Sequence, residues 1–265
     1  MRIISLSFLS ILMFSSGSVI NAQELLKAPG VNATPVNQRL AYGNACGPAS
    51  LLNAFQYGSE RWRKVFDALP GKDHRYRIRY VVAAWGKEPS SHIKGRMRWN
   101  PKQGINLLDL TDMANAMRKP HYLPTIKQEV LTKKTRGSYA DLLKRSHKLM
   151  AKSLKKGFPP IISIRRYAYR YSPEVGQKSW WPIRAHFVVV TEIPKRVSAP
   201  YGFYRIKYID PYGGLMQKGQ IEVYTGAFRN SPFVIANMPD VLVGKKLVKK
   251  GEPTIITMSA VIGAW

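Results

Sequence analysis

An α+β fold, with helices first and an antiparallel sheet after them, is what the sequence predicts. Three observations lead there. Apolar residues recur at helical spacing from residue 46 to about 157. From Pro159 onward the pattern changes to short β-rich runs separated by turn residues. Hydrophobic residues make up 45% of the chain, enough for a sizeable core in one large domain or a domain with an insertion.

Along the chain, Arg2 and the apolar run from Ile3 to Phe14 have the make-up of an export leader. Asn21-Ala22-Gln23 offers the cleavage point, so residues 1–22 are expected as a signal peptide and 23–265 as the mature domain. A retained anchor is the competing reading, because Ile20 is larger than the alanine such a site prefers. Localisation is expected to be periplasmic, envelope-associated or extracellular. Residues 23 to 40, with Pro29, Gly30 and Pro35, are an extended lead-in. Ala49, Leu52, Ala54 and Phe55 give a helix running to Gln56, with Pro48 in its first turn, Cys46 at its mouth and Gly58 as its stop. Arg61 to Leu69 is a second helix, halted by Pro70-Gly71. In His74 to Tyr80 arginines alternate with Tyr76, Ile78 and Tyr80, which predicts a strand or an extended basic face. Gly86 to Gly104 is a loop, and Ile105 to Arg118 a helix ending before Pro120. Ser138 opens a helix with Leu142, Leu143, Leu149, Met150 and Leu154 on one side and lysines on the other, ending at Gly157. Strands follow over Ile161 to Tyr167, Ala185 to Ile193, Phe203 to Ile209, Gln220 to Tyr224 and Thr254 to Ile262.

Charge narrows the partners. Forty-two Lys and Arg against fifteen Asp and Glu give a formal net charge of +27. Such a surface is drawn to polyanions, whether anionic envelope polymers, lipid head groups or nucleic acid, although it also simply aids solubility. The Arg/Tyr stretches Arg75 to Tyr80 and Arg165 to Tyr171 suit a sheet face with solvated arginines better than a nucleic-acid platform. His74, His92, His121 and His147 sit among charged residues without metal spacing. With no His-Glu-x-x-His, Cys-x-x-Cys or P-loop, the sequence suggests no metal or nucleotide cofactor.

Cys46 is the only cysteine, so in an exported chain it has no partner for an internal disulfide. It lies in Asn44-Ala45-Cys46-Gly47-Pro48-Ala49-Ser50, at the start of a helix, where backbone N–H groups and the helix dipole favour thiolate over thiol. That makes it a candidate nucleophile; the competing reading is a small buried hydrophobe. His186 heads the apolar run Ala185-His186-Phe187-Val188-Val189-Val190, and Asp210 ends the following run at Ile209-Asp210-Pro211. If those runs pair as a hairpin, Asp210 reaches a ring nitrogen of His186 and orients the imidazole toward Cys46. Either residue also has a bland reading, as a satisfied core histidine and a turn aspartate.

These segments, together with Gly157-Phe158-Pro159-Pro160-Ile161-Ile162, resemble a papain-like cysteine peptidase. Within that family they resemble the branch of bacteriocin-leader-processing peptidases and their secreted stand-alone relatives. The separation of 140 positions between Cys46 and His186 falls in the range of roughly 130–150 for the papain pattern. The resemblance implies Cys46 as nucleophile, His186 as general base and acid, and Asp210 as the orienting residue, acting on a peptide or protein substrate. In this branch a glutamine a few residues before the cysteine helps form the oxyanion hole. Gln38 lies eight positions upstream, farther than expected, and Asn44 two upstream; Gln38 is favoured by position and Asn44 stays open. Arg61 to Lys134 has no counterpart and is expected as a possible basic insertion. The expected function is hydrolysis of peptide or isopeptide bonds, with acyl transfer to an amine as a variant. The alternative is a catalytically weak cationic protein that binds an envelope polymer or other polyanion on the same scaffold.

Overall fold

The computed structural model describes residues 24–30, 32–133, 136–174, 176–197, 202–223 and 233–265. The expected leader over residues 1–22 lies outside the described residues, as does Tyr224, the expected end of one strand. Fold class is mixed helix and sheet, with a large antiparallel sheet. No helix among the described residues is long and apolar enough to cross a membrane.

Helix α1 (Cys46–Gln56) is buried almost end to end, with Ala49, Leu51, Leu52, Ala54 and Phe55 inaccessible to solvent. Its apolar character all round suits a central helix packed on every side. Helix α2 (Glu60–Asp67) turns Trp62, Val65 and Phe66 inward. Helix α3 (His74–Val81) corrects the expectation of an extended segment. Asp73 caps it by accepting from the Tyr76 N–H at 2.7 Å, and Ile78 and Val81, one turn apart, supply the buried face. The tyrosines and arginines that alternated in sequence lie largely on its outer side, and Arg77 sits over the Phe66 ring at 4.1 Å. A π turn over Val82–Gly86 leads into the expected loop, whose far end carries a two-residue ladder between β2 (Trp99–Asn100) and β3 (Gly104–Ile105). Helix α4 (Leu107–Arg118) is capped by Asn106, and α5 (Tyr139–Lys155) by a reciprocal Ser138–Asp141 capping box. All five predicted core residues of α5 are buried, while Lys148, Lys152, Lys155 and Lys156 are exposed.

The remaining strands are β1 (Leu25–Lys27), β4 (Lys127–Val130), β5 (Ile161–Ser172), β6 (Gln177–Pro194), β7 (Phe203–Asp210), β8 (Leu215–Glu222), β9 (Val234–Asn237) and β10 (Thr254–Gly263). Every pairing is antiparallel, in the order β6-β5-β10-β9-β8-β7, and β7 pairs again with β6 to close the ring. Closure removes the free edges of those six strands; β1 adds to β6, and β4 to β10. Strands β5 and β6 run well past the predicted boundaries into a long hairpin, where Tyr169 packs on Trp180 at 5.3 Å.

One core joins helices and strands. Residues 61–134, expected as a possible insertion, contribute Trp62, Phe66, Ile78, Leu110, Met113 and Ile126 to it. At the end of α5, Gly157 takes φ +75° and brings its carbonyl to the Ser59 N–H at 2.8 Å. The next residue, Phe158, then packs against Phe55 and Trp62. A Cβ on Gly157 would lie 2.7 Å from Ser59 Oγ. Gly157→Ala is therefore expected to cost about 2–3 kcal/mol, from the left-handed conformation plus the overlap. Urea-unfolding midpoints of the two proteins measure it; equal midpoints contradict this role.

Candidate active site

Cys46 occupies the first position of α1, partly exposed at the mouth of a cavity of about 410 Å³. The cavity also receives Gln38, Asn44, His186 and Tyr212. Three contacts set the cysteine against the sheet. Ser50, one turn along α1, donates to the Phe187 carbonyl at 3.0 Å. The Phe187 N–H donates to the Cys46 sulfur, and so does the Gly47 N–H. Gly47 is required where it stands, because a Cβ there would lie 2.3 Å from Ile105 Cγ2.

His186 lies within β6 and is buried, opposite Ile164 in the ladder. The strand runs far beyond Ala185, so the histidine is held from both sides and does not head a strand. β6 and β7 pair through Val189–Ile209 and Val190–Tyr208, which brings the end of β7 beside His186. His186 Nε2 donates to Asp210 Oδ1 at 2.8 Å. The remaining ring nitrogen, Nδ1, is left to make the hydrogen bond to Cys46. Asp210 is inaccessible to solvent and accepts two further bonds, from the Tyr212 N–H at 2.8 Å and the Leu242 N–H at 3.3 Å.

Electrostatics follow from these contacts. Burial alone pushes the Cys46 thiol up, but the hydrogen bond and charge of His186, with the two backbone N–H groups, hold it below its ordinary value. Burial likewise pushes the imidazole down, and the bonds to Asp210 and Cys46 with their negative charges overcome this, raising it to about 9. The two shifts describe one coupled pair, and both favour the form with a thiolate beside an imidazolium.

The two amide candidates separate. Asn44 gives its side-chain N–H to the Lys102 carbonyl, its backbone N–H bonds Pro101, and its carbonyl accepts from Trp99 Nε1. Asn44 is thus an anchor for the 99–104 turn. Gln38 is nearly buried at the head of a short 3₁₀ turn, and its Oε1 has no hydrogen-bond partner among the described residues. Its amide faces the cavity uncommitted to the fold, while its backbone N–H is tied to Pro211 at 2.8 Å.

Sequence reasoning passed over the residues that hold this arrangement. Asn53 on α1 pairs both ways with the Val36 backbone, at 2.7 and 3.1 Å, fixing the segment that carries Gln38. Arg166, read as part of a solvated arginine run, is buried and donates to the carbonyls of Val241 and Val243. It thereby holds the loop whose Leu242 N–H reaches Asp210. The only hint was polar side chains embedded in apolar runs. The other histidines serve elsewhere: His147 bonds the Pro194 carbonyl at 2.7 Å, and His74 packs on Phe66. His92, Asp109 and Asp112 come within 4.8 Å of one another, which their spacing along the chain did not reveal. His92 and Ser91 bond Asp112, and Ser90 and Asn106 bond Asp109, so this network ties the 88–97 loop to α4.

No protein-family model matches this chain, and no curated protein does.

Two expectations test the site. Because the lowered thiol stays ionised at more acidic pH, Cys46 should react with iodoacetamide at pH 6 about tenfold faster than a peptide thiol. In His186→Ala only the two backbone N–H groups oppose burial, the thiol rises, and labelling should fall to the peptide rate or below; identical labelling of both proteins contradicts the ion pair. Separately, Gln38→Ala should lower kcat about a hundredfold with KM nearly unchanged, while Asn44→Ala does much less. Steady-state kinetics of both variants on one peptide substrate decide between the amides, and unchanged kcat in Gln38→Ala removes it from the oxyanion hole.

Proposed function

We propose that this protein is a papain-like cysteine peptidase, exported from the cell, that cleaves peptide or isopeptide bonds. One observation carries the reading: Cys46, His186 and Asp210 form a continuous hydrogen-bonded chain at the edge of a cavity that also holds an uncommitted Gln38 amide. The Cys46 thiolate attacks the substrate carbonyl carbon, forming a C–S bond. The oxygen takes up negative charge near the Gln38 amide and the Cys46 backbone N–H. As the tetrahedral species collapses the C–N bond breaks, and the His186 imidazolium gives its proton to the departing amine. The neutral imidazole then takes a proton from water, which attacks the thioester and releases the acid. Cys46 leaves as thiolate and the ion pair is restored. An amine in place of that water would give acyl transfer by the same steps. The exposed lysines of α5 belong to a cationic surface that would concentrate the enzyme at an anionic envelope polymer or lipid.

A peptide-cleavage profile on a proteome-derived library tests the assignment, with Cys46→Ala as control. Wild type should produce cuts that the variant does not. Because the step needs His186 protonated, kcat/KM on a good peptide should fall as pH rises through about 9. Identical profiles for both proteins would sink the assignment.

A further inference from the structure

The cavity at Cys46 continues into a second of about 410 Å³, the two sharing Gln103, Ile105, Ala185 and Phe187 as walls. Together they form a groove along β6 and β5 that passes the nucleophile. Lys102, Arg184 and Lys246 line the first cavity, Arg96 and Arg165 the second, and among the described residues no Asp or Glu lines either. Arg184 and Arg165 are both exposed; the register sets Arg165 opposite Ala185 and Arg184 opposite Arg166, so their side chains leave opposite faces of the hairpin, one lining each cavity. Neither they nor Lys102 and Lys246 make an ion pair among the described residues. Some cations elsewhere do have an acidic partner, as Arg98 has Glu88, Arg145 Glu129, Arg170 Glu252 and Lys207 Glu192, although the acidic residues are too few to match most of them. In the groove like charges gather uncompensated, and an anionic occupant relieves their repulsion.

Resting on the peptidase reading, we infer that the groove selects acidic peptides, with Asp or Glu side chains on both sides of the bond that Cys46 attacks. A carboxylate suits the guanidinium forks of Arg184 and Arg165, which bind it through two parallel N–H donors. Lys102 and Lys246, which also line the first cavity, add point charges. The thiolate–imidazolium pair favours a peptide over a nucleic acid, since its chemistry is addressed to a carbonyl carbon.

Binding to the Cys46→Ala protein tests this without depending on turnover. Two fluorescein-labelled decapeptides, one with Glu at alternate positions and one with Gln in their place, are compared by anisotropy at physiological salt. The Glu peptide should bind at least about tenfold tighter, and Arg165→Gln and Arg184→Gln should each reduce that ratio about threefold or more. Lys148→Glu with Lys152→Glu on α5, far along the chain from the groove, should leave the ratio in place. Equal affinity for the two peptides overturns the inference. So does a ratio that survives both arginine substitutions but disappears with the α5 reversal, since that reports only net charge. A single-stranded oligonucleotide that displaces the Glu peptide at lower concentration than unlabelled Glu peptide also overturns it. Wild-type protein that binds the Glu peptide tightly and never cuts it would refute the peptidase reading and leave the preference standing. Cleavage of both peptides at equal kcat/KM would do the reverse.

Discussion

Helix α1 is buried along nearly its whole length, so the polar side chains of Ser50 and Asn53 find partners inside the protein, and those partners set the site. Ser50 binds the Phe187 carbonyl on β6, and Asn53 binds both backbone groups of Val36. The first contact seats Cys46 beside His186. The second fixes the segment that presents Gln38. An unpaired amide or hydroxyl at such depth costs roughly 1–3 kcal/mol, so helix, strand and lead-in are held in one arrangement. The nucleophile and the amide facing it share a single scaffold element.

Charge at the site is maintained against burial. An imidazolium deprived of water is unfavourable on its own, and Asp210 offsets this through a bond within the protein interior. Asp210 in turn is a buried carboxylate, held by His186 and by the N–H groups of Tyr212 and Leu242. The Leu242 loop depends on Arg166, whose guanidinium bonds two of its carbonyls. A line of polar contacts thus runs from Arg166 to Cys46, each member paired with the next.

The three residues that the structure brings together were legible because each stands at a discontinuity: Cys46 at a helix start, His186 in an apolar run, Asp210 at a strand end. Helices α1 and α5 were legible from apolar spacing and turn residues. Strands β1, β4 and β9 were not, since three or four residues give too brief an alternation to stand out. In α3 the Arg/Tyr alternation imitated a strand, and the cap at Asp73 with the Ile78–Val81 face prevailed. Ring closure was invisible for a different reason. Periodicity identifies a strand but not its partners, and β6 meets β5, β7 and β1. Ser50, Asn53 and Arg166 were passed over because composition weighs polar residues as surface.

Strands β6 and β7 meet over a narrow seam, Val189 to Glu192 against Lys207 to Ile209, whereas β6 pairs with β5 from Gln177 to Val189. His186 lies on one side of that seam and Asp210 on the other. The geometry makes the seam a fuse: parting it separates base from carboxylate while α1, α5 and the β5–β6 arm stay intact. Deprived of Asp210, a buried imidazole gives up its proton, and the thiol it had ionised takes one back. Damage to this joint would leave the helices and the β5–β6 hairpin in place but break the Cys46–His186–Asp210 chain.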